Sequence, residues 1–211
     1  MTYLALGDSY TIGEGVPEAG RWPVQLAESL RGEGIALDAP RIIATTGWTT
    51  DELSAAIDAA ALDTPLGRFD FVSLLIGVNN QYRGRDLGEY REQFTALLER
   101  AIGFAGGRAD RVLVLSIPDW GVTPFAAAQV AQQRGRDPTQ IASELDAYNA
   151  AAEAISRARG VAFVDITTVS RARGGEPAML ADDGLHPSAA MYAQWTTLAL
   201  PVARTLLAPG E

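Results

Sequence analysis

The chain predicts an α/β protein, a parallel sheet covered by helices on both faces, because strand-like and helix-like stretches alternate along its length. Short apolar runs at Tyr3–Leu6, Ile42–Ala44, Phe69–Ile76, Val112–Leu115 and Val161–Ile166 read as five strands. Between them stand segments whose apolar residues recur at helical spacing. The Phe69–Ile76 run is almost continuously apolar, as suits a central strand buried on both sides. No repeat, low-complexity tract or linker breaks the pattern, so the 211 residues are expected to form one domain.

In chain order, the first strand runs into Gly7-Asp8-Ser9-Tyr10-Thr11-Ile12-Gly13-Glu14-Gly15, a glycine-rich turn with a serine at its tip. A helix from Trp22 to Leu30 carries Trp22, Leu26 and Leu30 on one stripe and closes at Gly32 and Gly34. After the second strand, Gly47-Trp48 precede Thr49-Thr50-Asp51-Glu52, a capping box that starts a helix burying Leu53, Ile57 and Ala60. The central strand ends in Gly77-Val78-Asn79-Asn80. The clearest helix spans Asp86 to Phe104, with Leu87, Tyr90, Phe94, Leu97, Ala101 and Phe104 aligned and Gly103, Gly106 and Gly107 at its exit. The fourth strand leads into the turn Pro118-Asp119-Trp120-Gly121 and a short helix opened by Thr123-Pro124. The stretch from Trp120 to Pro138 is the least determined part of the chain and a candidate for a mobile flap. Ile141, Leu145, Tyr148, Ala152 and Ile155 mark the next helix, which Gly160 ends. A loop rich in Arg, Gly and Pro follows the fifth strand. The last helix starts after His186-Pro187 and carries Met191, Trp195 and Leu198, with Pro201 expected to kink or interrupt it.

Composition narrows the chemistry. The chain has no cysteine, which excludes disulfides, thiolate catalysis and Cys-ligated metal clusters. It has no lysine either, so Schiff-base chemistry and a P-loop lysine are excluded. A single histidine, His186, rules out H-E-x-x-H and similar metal spacings, and no metal or organic cofactor is expected. The net charge of −9 disfavours nucleic acid and anionic membranes as partners. No apolar run is long enough to span a bilayer, and the first strand begins too early to leave room for a signal peptide, so the expected location is cytoplasmic. Serine and carboxylate mechanisms remain.

Five polar positions then converge. Ser9, Gly47 and Asn79 each lie just past the carboxyl end of a different strand, the edge at which open α/β sheets bind ligands. Asp183 and His186 lie beyond the fifth strand and can reach the same edge. A serine hydroxyl attacks only when a base takes its proton. Imidazole suits that task near neutral pH, and a carboxylate should hold its second nitrogen. Asp183, three residues before His186 across a glycine turn, fits better than its neighbour Asp182, and Pro187 keeps His186 out of the last helix. An acyl-transfer transition state also needs donors for its oxyanion, which the Ser9 N–H, the Gly47 N–H and the Asn79 amide can supply.

These blocks, Gly7-Asp8-Ser9-Tyr10, Gly47, Gly77-Val78-Asn79-Asn80 and Asp183-Gly184-Leu185-His186-Pro187, resemble those of the SGNH hydrolases, also called GDSL esterases and lipases. Together they span nearly the whole chain in the family's order. The resemblance implies a three-layer α/β/α flavodoxin-like fold with a five-stranded parallel sheet. It also implies an acyl-enzyme on Ser9, Asp183 and His186 as the rest of the triad, and Ser9, Gly47 and Asn79 as the oxyanion hole. Asn80 stands where the family usually has aspartate, a change that bears on local hydrogen bonding, and Asn80 is a second candidate for the donor role. Trp48, Tyr82, Trp120, Met179 and Leu180 are candidates to line a pocket for a small-molecule ester, although core packing explains each equally well.

The expected activity is hydrolysis of carboxylic esters with small or medium acyl groups. A carbohydrate acetyl esterase, a thioesterase or an acyltransferase would use the same residues. A flavodoxin-like module, with Ser9–Gly13 cradling a flavin or nucleotide phosphate, is the alternative outside enzymology. That reading leaves Asn79 and the Asp183-His186 pair unexplained.

Overall fold

In the computed structural model, residues 1–60, 62, 68–132 and 136–208 are described. The first half holds β1 (Tyr3–Gly7), the one-turn α1 (Ser9–Ile12), α2 (Trp22–Gly32), β2 (Arg41–Ala44) and α3 (Thr50–Ala59). Next come β3 (Phe71–Leu75), the short α4 (Val78–Tyr82), α5 (Leu87–Phe104) and β4 (Val112–Leu115). The chain ends with α6 (Pro124–Ala131), α7 (Pro138–Ala158), β5 (Ala162–Val164), α8 (Thr167–Arg173) and α9 (Ala189–Leu207). The strands form one parallel sheet in the order β2-β1-β3-β4-β5.

That order fixes the layers. The crossover from β1 to β2 runs one way along the sheet, while those from β2 to β3, β3 to β4 and β4 to β5 run the other way. Right-handed connections therefore put α2 on one face and α3, α5 and α7 on the opposite face. The packing agrees: α2 lies against α9, α3 against α5, and α5 against α7. The result is the three-layer α/β/α arrangement expected. The direction of winding reverses between β1 and β3, and the crevice beyond that reversal is where such sheets place ligands. Ser9 follows β1, and Asn79 follows β3.

β1 and β3 are wholly buried, as strands covered by helices on both sides must be. Their one buried polar side chain, Ser73, shares a hydrogen bond of 2.9 Å with the Tyr3 hydroxyl. β2, at the sheet edge, begins with the exposed Arg41. Trp22 and Trp195 fill the layer between α2 and α9 with no exposed surface.

Several local expectations change. α9 continues through Pro201. Pro201 and Thr197 both lie on the exposed side, so the carbonyl that a 201 N–H would have served faces water. Leu198 is on that exposed side too, and Ala199, Ala203 and Leu207 complete the buried stripe. The segment expected as an Arg/Gly/Pro-rich loop contains α8, whose first N–H, from Thr167, donates to Asp165 at 2.8 Å. In the stretch 120–138, the described residues form a 3-10 turn at Trp120–Val122, α6, and the start of α7, while 133–135 lie outside them. No helix among the described residues is long and apolar enough to cross a membrane.

Candidate active site

The serine turn is built by close approach of backbones. A Cβ on Gly7 would sit 2.5 Å from the Leu75 carbonyl oxygen and 2.1 Å from Thr11 Oγ1, so only glycine lets β1 pass into α1 beside β3. Asp8 then caps α1, its Oδ1 accepting the Tyr10 N–H at 3.0 Å. Ser9 is the first residue of that helix and is 4% exposed, enough for its hydroxyl to reach the cavity described below. Its N–H has no hydrogen-bond partner among the described residues, as expected of the first N–H of a helix. Asp8 is fully buried, and its second oxygen has no partner among the described residues. Burial pushes its carboxyl up to about 7, against the opposing pull of the Tyr10 N–H.

The histidine loop is built from short-range bonds. Asp183 Oδ1 accepts the Leu185 and His186 N–H groups, each at 2.9 Å, and Asp183 Oδ2 lies 2.5 Å from His186 Nδ1. Partial burial raises the Asp183 carboxyl, but the ring and the two N–H donors outweigh it and hold it below the usual carboxylate range. Met179 and Leu180 brace this loop from behind. Leu180 pairs with Pro187 in an antiparallel bridge, the Ser188 N–H donates to the Met179 carbonyl at 2.9 Å, and the Ala181 N–H donates to the His186 carbonyl at 2.8 Å. Asp182 is exposed and takes no part in these contacts. The His186 ring rests 5.8 Å from the Tyr10 ring, centroid to centroid. Among the described residues no hydrogen bond joins Ser9 Oγ to His186. Such bonds often tighten only when substrate is bound.

Gly47 lies between β2 and α3 with φ of 89°, a left-handed conformation that favours glycine. Its N–H has no partner among the described residues. The capping box of Thr49 and Glu52 is formed, so α3 starts where the sequence predicts. The two asparagines of α4 divide the work. Asn79 Nδ2 donates to the Trp48 carbonyl at 2.9 Å, its second hydrogen has no partner among the described residues, and the residue lines the cavity. Asn80 is fully buried and turned the other way. Its Oδ1 accepts the Thr50 N–H at 3.1 Å, and its Nδ2 donates to Thr50 Oγ1 at 2.7 Å. That hydroxyl in turn donates to Gln93. The amide at position 80 is thus spent on the start of α3, and Asn79 is the asparagine that faces the cavity.

Ser9, Gly47, Asn79 and His186 line one cavity of about 200 Å³, with Tyr82 and Trp120 on its wall. The sequence did not single out Tyr10, Thr46, Val78, Phe125 and Leu185, which complete the lining. Each sits one residue from a recognised position or at the start of α6, so adjacency was the only available signal. The Phe125 N–H donates to the Gly184 carbonyl at 3.1 Å and ties α6 to the histidine loop. Trp120 is fixed by its indole N–H, which donates to Gln81 at 2.9 Å, and by edge packing on Tyr82 at 5.2 Å. Trp48, Met179 and Leu180 lie off this wall. The Trp48 ring packs against the core and Met179 is buried in it, while Leu180 pairs with Pro187 and lines a smaller second cavity with Tyr10, Trp120 and Leu185. No cluster of three or more metal-ligating side chains occurs among the described residues.

The fold is that of a three-layer α/β/α sheet protein with a cavity at the carboxyl edge of its strands, beside the switch in winding direction. The profile of the GDSL-like lipase/acylhydrolase family matches residues 5–194. The chain belongs to that family and is a carboxylic ester hydrolase. No curated protein matches it in sequence. Among solved structures it is similar to TesA, with a TM-score of 0.74, 18% identity, and coverage of 98% of this chain and 99% of that one. It is also similar to a lipase/acylhydrolase from Enterococcus faecalis (TM-score 0.69, 19% identity, 100% and 98% covered). A third likeness is to Axe2, an acetylxylan esterase from Geobacillus stearothermophilus (TM-score 0.67, 18% identity, 99% and 94% covered).

Proposed function

We propose that this protein hydrolyses esters of short and medium acyl groups through an acyl-enzyme on Ser9. In the first half-reaction Ser9 Oγ attacks the ester carbonyl while His186 Nε2 takes the hydroxyl proton. Asp183 holds Nδ1 and stabilises the imidazolium. The carbonyl oxygen becomes an oxyanion, met by the Ser9 N–H, the Gly47 N–H and the free hydrogen of Asn79 Nδ2. Collapse of the tetrahedral intermediate breaks the bond to the alkoxy oxygen, which leaves as alcohol with the proton from His186. Water then repeats the sequence, giving up a proton to His186 as it attacks the acyl carbonyl, and Ser9 is released with the carboxylic acid.

The observation that carries this reading is the sharing of one cavity by Ser9, His186, Gly47 and Asn79, with Asp183 bonded to His186 from behind. The cavity size supports the substrate class. A cavity of about 200 Å³ falls below the roughly 300–1,000 Å³ usual for sites that enclose a drug-sized ligand, which suits a small acyl group. Its wall is apolar, formed by Val78, Trp120, Phe125 and Leu185, which suits a hydrocarbon chain.

The test is hydrolysis of a series of chromogenic esters from acetyl to dodecanoyl by the protein and by Ser9→Ala. The expected profile peaks at short to medium chains, and Ser9→Ala loses on the order of 10⁴–10⁶ in kcat/KM while its unfolding midpoint stays put. Turnover that persists in Ser9→Ala would exclude the acyl-enzyme. Activity confined to acetylated sugars would move the substrate to carbohydrate esters on the same residues.

A further inference from the structure

Gly47 is placed to donate to the oxyanion, yet ordinary packing does not hold it. A Cβ built on it would meet nothing nearer than the Arg83 guanidinium, at 3.9 Å. Thr45 and Thr46 before it are exposed. A half-exposed glycine in a left-handed conformation has a peptide free to turn, and a donor that turns is lost to the transition state.

Polar bonds take the place of packing. Arg83 Nη2 donates to the Gly47 carbonyl at 2.7 Å, and its Nη1 donates to Glu52 Oε1 at 3.2 Å. The other oxygen of Glu52 accepts the Thr49 N–H at 2.9 Å. Arg83 and Glu52 therefore close a ring around residues 47–49. Asn79 holds the next carbonyl, that of Trp48, and the Thr46 hydroxyl donates to Glu14 on the far side. Arg83 is the residue that follows α4, the helix bearing Asn79, so one short element aims two oxyanion donors at once.

We propose that Arg83 is a positioning residue of the oxyanion hole, locking the Gly47 peptide so that its N–H points at the developing charge. It touches neither substrate nor Ser9, and it acts through Gly47. The inference rests on the esterase reading above with Gly47 as a donor. As a plain surface ion pair, Arg83–Glu52 would contribute little to stability and nothing to turnover. As a positioning residue it matters to kcat and hardly at all to folding.

The experiment compares wild type, Arg83→Met, Arg83→Lys and Ser9→Ala on a short-chain chromogenic ester, with unfolding midpoints measured in parallel. Arg83→Met should lower kcat roughly tenfold with little change in KM, a fraction of the 10²–10³ lost when an oxyanion donor is deleted. Affinity for an alkyl boronic acid, a tetrahedral mimic, should fall by a similar factor. Millimolar methylguanidinium should restore part of the Arg83→Met rate, and Arg83→Lys should retain more of it. A kcat equal to that of wild type, a rise in KM alone, or a rate lost with stability and not restored by methylguanidinium would each overturn the assignment. Equal activity in wild type and Ser9→Ala would remove the esterase reading itself, and the Arg83 role with it.

Discussion

The serine turn and the histidine loop meet across one cavity, but they are made in opposite ways. Asp8 and Ser9 are held by the whole fold. Gly7 passes within contact of the β3 backbone, and Asp8 is sealed from solvent with an oxygen left unpaired among the described residues. Asp183, Gly184, Leu185 and His186 hold one another through hydrogen bonds spanning two or three residues, and Asp183 remains in partial contact with water. The position of Ser9, the proposed nucleophile, is therefore a property of the sheet, whereas His186 and Asp183, the proposed base and its carboxylate, form a local device fastened to the rim. Damage on the first side should appear in stability, and damage on the second in rate.

The largest effect tests the local device. Asp183→Asn keeps an oxygen for the Leu185 and His186 N–H groups but turns an NH2 toward His186 Nδ1. The imidazole must then carry its proton on Nε2, where it cannot accept from Ser9. We expect a loss of about 10⁴ in kcat, with an unchanged unfolding midpoint. A fall in stability to match the fall in rate would show that Asp183 is a fold residue and that the contrast is misdrawn.

Asp8 tests the other side, through pH. Its carboxyl is raised to about 7 in the folded protein, so the folded state holds its proton more tightly than the unfolded chain. The stability this gives is complete below the ordinary carboxylate value near 3.8 and is lost as pH climbs through 7. Asp8→Asn cannot ionise. The difference in unfolding free energy, variant minus wild type, should therefore rise between pH 4 and pH 8 by something on the order of 4 kcal/mol. A difference that is flat with pH would mean that Asp8 is ionised in the fold, and that the serine turn is less sealed than its burial implies.

Much of this was legible in the chain because short-range physics writes it there. Apolar runs marked the five strands, and the capping box at Thr49 and Glu52 placed the start of α3. The Asp183–His186 spacing found its hydrogen bond because a three-residue turn brings those side chains together whatever the rest of the fold does. Long-range matters were not legible. Asn79 and Asn80 are indistinguishable as neighbours in sequence. Only the short helix α4 sends one to the cavity and the other into the core against Thr50. Trp48, Met179 and Leu180 looked like pocket residues because large apolar side chains suit either a pocket or a core. Which face they turn to depends on α9, β2 and the histidine loop together. Arg83 was invisible for the same reason, since its partner carbonyl is 36 residues away.

Two glycines give the comparison its sharpest form. Gly7→Ala must push a methyl against the Leu75 carbonyl and Thr11, neither of which can retreat without shifting β3 or α1. Overpacking of this kind should cost about 3 kcal/mol, and Ser9 should lose its place with the turn. Gly184→Ala meets only ordinary contacts, 3.7 Å to Pro124 and 4.0 Å to the Phe125 nitrogen. What it pays is the left-handed backbone at φ of 67°, roughly 1–2 kcal/mol for an L-residue. The Asp183–His186 turn can relieve that strain by loosening, because its internal bonds span only two or three residues and Gly184 is tied to α6 by the single Phe125 N–H bond. Chemical denaturation should therefore show Gly184→Ala as the more stable of the two, and at full folding its kcat should be reduced. If Gly184→Ala proves as destabilising as Gly7→Ala, the histidine loop is as deeply built into the fold as the serine turn, and the division between them fails.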